Sequence, residues 1–317
     1  MAGILASRID ETPIAIIDFE TTGLTPGYDR VLEISVVRKD PGQAPKLVFD
    51  TLVNPRRRVS ATEIHGITEQ DVAGAPYFED VVGDFLHAIS DCVIAAYNVY
   101  FDIKFFTYEF SQAGISLDPP HFCLMYLRPM LDLGARCRLE EACRDASIEY
   151  EQLHIAGSDA QASGKLLDLY LTSIRNKRIA TFGDLARLRS YKFIKSFSND
   201  PPRKEACTLP RCTKLRSRFQ ASTPPAVDPT LKAMRTYWDA LRAVVADLQI
   251  TEEELIEMET LRASLELPQE QVRVLHARAF SSAVAQFMDD LSIDEREMRK
   301  LRLLKNALSK LGWAPGD

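Results

Sequence analysis

Short aliphatic and β-branched runs in the first half of the chain alternate with segments whose apolar residues recur every three or four positions. Ile14–Phe19 is a continuous apolar run ending in acids, which predicts a buried strand. Leu32–Arg38 and Leu47–Val53 predict two more strands, joined through the turn residues Asp40-Pro41-Gly42. Ser60-Ala61-Thr62-Glu63 has capping-box spacing and predicts a short helix. Phe78–Ile89 is helical in period, Cys92–Ala96 predicts a fourth strand, and Ile103–Ala113 a helix closed by Gly114. Arg138–Ser147 and Asp159–Ile174 predict two further helices. Strands first, then strand and helix in alternation, argue an α/β fold with a mixed sheet covered by helices.

Pro201-Pro202 and Thr223-Pro224-Pro225 bound a proline-broken stretch, after which helical periodicity takes over. Three regions are expected: 1–174, a connecting segment 175–230, and a smaller all-α domain 231–317. The last region holds a repeat. Asp247-Leu248-Gln249-Ile250-Thr251-Glu252-Glu253-Glu254-Leu255 matches Asp290-Leu291-Ser292-Ile293-Asp294-Glu295-Arg296-Glu297-Met298. Each copy places an N-cap residue (Thr251, Asp294) three positions before a glutamate (Glu254, Glu297). The acidic run lacks the spacing and the glycine of a calcium loop.

With 46% hydrophobic and 26% charged residues, the 317-residue chain has the balance of a soluble protein with a packed core. No run approaches the roughly 20 apolar residues of a membrane span, and Met1–Pro13 lacks the features of a signal peptide. The six cysteines (92, 123, 137, 143, 207 and 212) show no disulfide-framework spacing, so a reducing, cytoplasmic setting is expected. Cys207-x₄-Cys212 has no second pair at zinc spacing, which favours ordinary thiols. Charge divides the chain. Residues 1–174 hold 14 basic and 26 acidic side chains, a net −12, whereas 175–218 hold 13 and 3, a net +10. Tyr191, Phe193 and Phe197 sit among those cations, a composition that suits either a nucleic-acid backbone with stacked bases or a linker with buried aromatics.

The chemistry concentrates at strand ends. Asp18-Phe19-Glu20 closes the first strand, and alternation puts both acids on one face, where they repel unless a cation lies between them. Asn98-Val99-Tyr100-Phe101-Asp102 follows another strand and opens a helix. His154 precedes Asp159, which falls in the first turn of the next helix. Hard oxygen ligands of this kind suit Mg²⁺ or Mn²⁺. Asp18-Phe19-Glu20-Thr21-Thr22-Gly23, Ile64-His65-Gly66-Ile67-Thr68, Asn98 with Phe101-Asp102, and His154 with Asp159 occur in order. In this ordered set residues 13–173 resemble the DEDDh 3′–5′ exonucleases, the family of the proofreading subunit of the bacterial replicative polymerase.

The resemblance implies a ribonuclease-H-like fold and a phosphodiester hydrolase with two divalent ions, Mg²⁺ or Mn²⁺. It implies Asp18, Glu20, Asp102 and Asp159 as metal ligands and His154 as general base. The product would be a nucleoside 5′-monophosphate cut from the 3′ end of DNA. By the same resemblance Thr21, Thr22, Leu24 and His65 would hold the terminal nucleotide, and Asn98 and Phe101 would line the pocket. Tyr97 departs from the family, which often has histidine before the asparagine. Two alternatives stay open: a 3′–5′ exoribonuclease, and a non-catalytic module that binds nucleic acid or protein on the same fold. The second expects a lost ligand, and all five key residues are present. The repeat loosely resembles TerB-like helical domains and would offer a surface for a protein partner.

Overall fold

The computed structural model describes residues 3–150, 155–203, 209–217, 229–245, 251–287 and 295–314. His154, Cys207, Asp294 and the first four residues of each repeat copy lie outside these. Five strands form one sheet: β1 (Ile14–Thr21), β2 (Val31–Lys39), β3 (Lys46–Leu52), β4 (Val93–Ala96) and β5 (His121–Cys123), in the order β3-β2-β1-β4-β5. β1, β4 and β5 run parallel, with Ile14 opposite Val93 and Ile94 opposite His121. β2 and β3 are antiparallel, with a register irregularity between Val36 and Val37. This is the mixed sheet flanked by helices that the sequence leads one to expect. Every residue of β4 is buried, as is every residue of β1 but Asp18. That explains why these strands read as unbroken apolar runs rather than alternating ones.

Among the described residues the α-helices of the first 188 positions are α1 (Thr62–His65), α2 (Glu69–Val72), α3 (Phe78–Ala88), α4 (Val99–Gln112), α5 (Leu124–Met130), α6 (Leu139–Asp145), α7 (Ala156–Asn176) and α8 (Phe182–Leu188). On one face of the sheet, Phe85 of α3 meets Phe19 edge-on and stacks on Phe49. α7 packs on β2 through Gly164, where an added Cβ would lie 2.9 Å from Val37. A larger side chain there would push helix and strand apart.

Four more helices follow: α9 (Pro229–Val245), α10 (Glu252–Ser264), α11 (Gln269–Phe287) and α12 (Glu295–Lys310). The chain divides into two compact units. One holds Met1–Glu20, Val31–Arg56 and Glu69–Ser222; the other holds Thr21–Arg30, Arg57–Thr68 and Thr223–Asp317. The core of the second unit joins Met234, Tyr237, Trp238 and Leu241 of α9 to Met258, Leu275 and Leu308 from the other helices. Residues 234, 237, 238 and 241 follow the i, i+3, i+4, i+7 stripe of an amphipathic helix. Ala61 and Ile64 are buried in the same cluster, and Leu24 packs against it.

One expectation is corrected. The short helix does not begin on a Ser60 capping box. Its N-cap is Ala61 in a left-handed conformation, and the Ser60 hydroxyl donates instead to the Thr22 carbonyl. Of the two readings left open for the aromatics of the basic segment, buried packing is the one found: Phe193 and Phe197 are fully buried, and Tyr191 stacks on Phe193. Burial won because this stretch supplies apolar surface to the first unit's core. Its cations partly offset the acidic half directly, through Lys177 to Asp132 (2.8 Å) and Arg211 to Asp84 (2.9 Å). The Thr251–Glu254 capping box forms as expected, with each side chain accepting from the other's backbone N–H.

Candidate active site

Alternation along β1 decides which side chains meet. Phe19 faces α3, so Asp18 and Glu20 face the opposite side. There they meet Asp159, held in the first turn of α7. One carboxylate oxygen from each of Asp18, Glu20 and Asp159 lies within 4.8 Å of the others. Glu20 and Asp159 are buried and Asp18 is half-buried. Asp102, also buried, sits in the first turn of α4 and takes the backbone N–H of Phe19 at 3.2 Å. That amide lies between Asp18 and Glu20, so Asp102 fixes the backbone carrying both. All four acids thus gather at one end of β1.

Three clustered carboxylates suit a hard divalent cation, which takes oxygen ligands and relieves the repulsion among them. A second feature fits a ligand here. Asn98 follows β4 and is the N-cap residue of α4, and its side-chain oxygen is buried with no hydrogen-bond partner among the described residues. Phe101 packs on Phe105 beneath it, with ring centroids 5.1 Å apart. Nearby thiols stay neutral: burial pushes Cys143 up to about 12, with the charge of Asp159 adding to it, and Cys123 up to about 11. The five described cysteines are all free. Tyr97, in place of the family's histidine, is buried, and its hydroxyl donates to the Cys137 carbonyl at 2.6 Å.

Two positioning groups escaped the sequence reading. Glu33 of β2 is fully buried and accepts the N–H of Ala156 at 3.1 Å, so a carboxylate secures the start of the helix that carries Asp159. A lone glutamate within an apolar strand gave no sign of that partner 123 residues away. Tyr150 donates its hydroxyl to Asp159 Oδ1 at 2.6 Å. It lies in an irregular stretch, where periodicity carries no information.

The remaining predicted residues belong to the second unit. Thr22 donates through its hydroxyl to Asp29 and through its amide to the Arg30 carbonyl. His65 is buried. Its Nδ1 accepts from the Ile67 amide at 3.0 Å, which leaves Nε2–H to donate to the Ser60 carbonyl at 2.9 Å. Because Ser60 in turn donates to Thr22, His65 braces the loop that contains Thr21, Thr22 and Leu24. At Gly23 the backbone is approached closely by another group of the same turn. The group that approaches is the Asp29 carboxylate, 2.4 Å from where a Cβ would stand.

The exonuclease family RNase_T matches residues 15–167. Just under half of the chain is therefore similar to that exonuclease family. It is 32% identical over 171 residues to a PolC-type DNA polymerase III of Bacillus cereus, covering 53% of this chain and 12% of that protein. It is 32% identical over 189 residues to a DNA polymerase III subunit epsilon-like protein of Rhodobacter capsulatus, covering 57% and 27%. The chain therefore spans about an eighth of the one relative and about a quarter of the other. A solved structure of Exonuclease X with 5′-overhanging duplex DNA is similar at 24% identity and TM-score 0.42, over 55% of this chain and 98% of that one. The nuclease domain of 3′hExo, a DEDDh family member bound to rAMP, gives 16% and 0.44 over 52% and 94%. The exonuclease-family match ends at residue 167, so the TerB-like reading of 231–317 stands on its sequence pattern alone. Among the described residues no helix is long and apolar enough to cross a membrane.

Proposed function

We propose that the exonuclease-family domain is a DEDDh-type 3′–5′ exonuclease that releases nucleoside 5′-monophosphates from DNA. The observation that carries this reading is the convergence of Asp18, Glu20 and Asp159 within 4.8 Å, with Asp102 clamped to the peptide between the first two. Asp18, Glu20, Asp102 and Asp159 would hold two Mg²⁺ or Mn²⁺ ions. Bound there, the ions supply an activated water and charge neutralisation at the scissile phosphate. His154 takes the proton from the attacking water, a role that suits a side chain with an ordinary pKa near 6.5. By the same reading Thr21, Thr22, Leu24 and His65 would hold the terminal nucleotide, and Asn98, with its unpartnered oxygen, would contact it. Phe101 supplies the apolar floor. A cytoplasmic setting accords with the free cysteines.

The test is end-labelled DNA and RNA side by side with the full chain, with Mg²⁺, with Mn²⁺ and with chelator, alongside Asp18→Ala. Stepwise loss of mononucleotides from 3′ ends, abolished by chelator and by the variant, is the expected result. Label released from 5′ ends, or equal activity in Asp18→Ala, overturns the proposal. RNA degraded in preference to DNA moves the substrate to the exoribonuclease alternative.

A further inference from the structure

The loop that leaves β1 carries an aromatic side chain outside the carboxylate site. Tyr28 is 52% exposed, a high value for a large ring in an ordered loop. It does not hang free. The Arg57 guanidinium lies 4.8 Å from its ring centroid and 3.7 Å from the Asp29 carboxylate. Asp29 is buried and takes the Thr22 hydroxyl at 3.1 Å and the Thr25 amide at 3.0 Å. The Asp29 amide returns to the Thr25 carbonyl at 2.6 Å. Gly23 leaves room for that carboxylate. One clasp therefore shapes the Thr21–Thr25 turn and fixes Arg57, which in turn fixes Tyr28.

Given the nuclease reading above, on which this step rests, we propose that Tyr28 and Arg57 form a second contact for single-stranded nucleic acid. An unpaired base of the strand leading to the 3′ end stacks on the Tyr28 ring, and Arg57 faces the adjoining phosphate. Every base has a π-face, so such a platform accepts any sequence but requires the base to be out of its duplex. The ring is already immobilised, so stacking adds little ordering cost. Arg57 is partly neutralised by Asp29, which leaves most of the gain to stacking rather than to charge.

The experiment measures binding of a fluorescent oligo-dT to the full chain in Ca²⁺, the intact parent beside Tyr28→Ala and Tyr28→Phe, across a salt series. Tyr28→Ala should bind about 5- to 150-fold more weakly with an unchanged salt slope, and Tyr28→Phe should bind within about twofold of the parent. A single abasic site scanned back from the 3′ end, tested on the unaltered protein, should reproduce the loss at one position and so removes any dependence on the variants' folding. Parent-like binding by Tyr28→Ala, an equal loss in Tyr28→Phe, or no position sensitive to base removal overturns the proposal. If the unaltered chain binds no single strand, the nuclease reading itself fails; if it binds and Tyr28 is irrelevant, only this step does.

Discussion

The second unit contains a titration that its own fluorophores can report. His276 of α11 is completely buried, and its Nε2 lies 2.7 Å from the Tyr237 hydroxyl of α9. Its Nδ1 has no partner among the described residues. A second proton would put an N–H⁺ where nothing accepts it. Burial, with the Arg262 charge of α10 adding to it, lowers the pKa from 6.5 to about 4. The unfolded chain takes up this proton below pH 6.5 while the folded unit resists down to about 4, so stability is full above 6.5 and is lost as pH falls through that window. The whole contribution is about 3 kcal/mol, and roughly 2 kcal/mol of it should vanish between pH 7 and pH 5. The chain's two tryptophans, Trp238 and Trp313, are both buried in this unit's core, so fluorescence excited selectively at tryptophan reads this unit. Urea titrations at pH 7, 6 and 5 on the parent and on His276→Gln should show the pH dependence of the parent exceeding that of the variant by the stated amount. Parallel curves for the two proteins would refute the reasoning.

Three further outcomes are expected. Asp102→Ala should lower turnover by about 100-fold or more, and by orphaning the Phe19 amide should cost about 1–3 kcal/mol of stability in urea unfolding; a fully active variant removes Asp102 from the site. Tyr150→Phe, which deletes only the donor to Asp159, should weaken Mn²⁺ binding measured by calorimetry about 10-fold or more; unchanged affinity would leave Tyr150 without a positioning role. Trp238→Ala should destabilise the second unit by about 3–5 kcal/mol and, assayed where it is still folded, raise KM more than it lowers kcat, because Ala61, Ile64 and Leu24 lean on the same cluster. A KM equal to the parent's would separate that core from substrate binding.

How much of this was readable beforehand varied with the kind of signal. Ile14–Phe19 and Cys92–Ala96 are buried on both faces, so simple apolar runs located them, and the carboxylates could be placed because strand alternation and a helix's first turn are local geometry. β5 spans only His121–Cys123, too short for a period to register. Glu33 and Tyr150 act through partners distant in sequence or placed by an irregular loop, which no pattern encodes. Ser60 had the right spacing for a cap and lost it to a tertiary acceptor, the Thr22 carbonyl. For Phe193 and Phe197 the sequence left a nucleic-acid surface and a buried linker equally open, because composition does not distinguish a solvated aromatic from a buried one.

The interleaving of the units bears on how the chain can be cut. The proline-rich stretch near residue 224 invites a truncation that would keep every residue of the exonuclease-family match. Such a fragment would retain Ala61, Ile64 and Leu24 but strip away the helices against which they are packed. The loops that carry these residues would gain a newly wetted apolar flank, and aggregation or low activity of that fragment would reflect the missing support before it spoke against the proposed site.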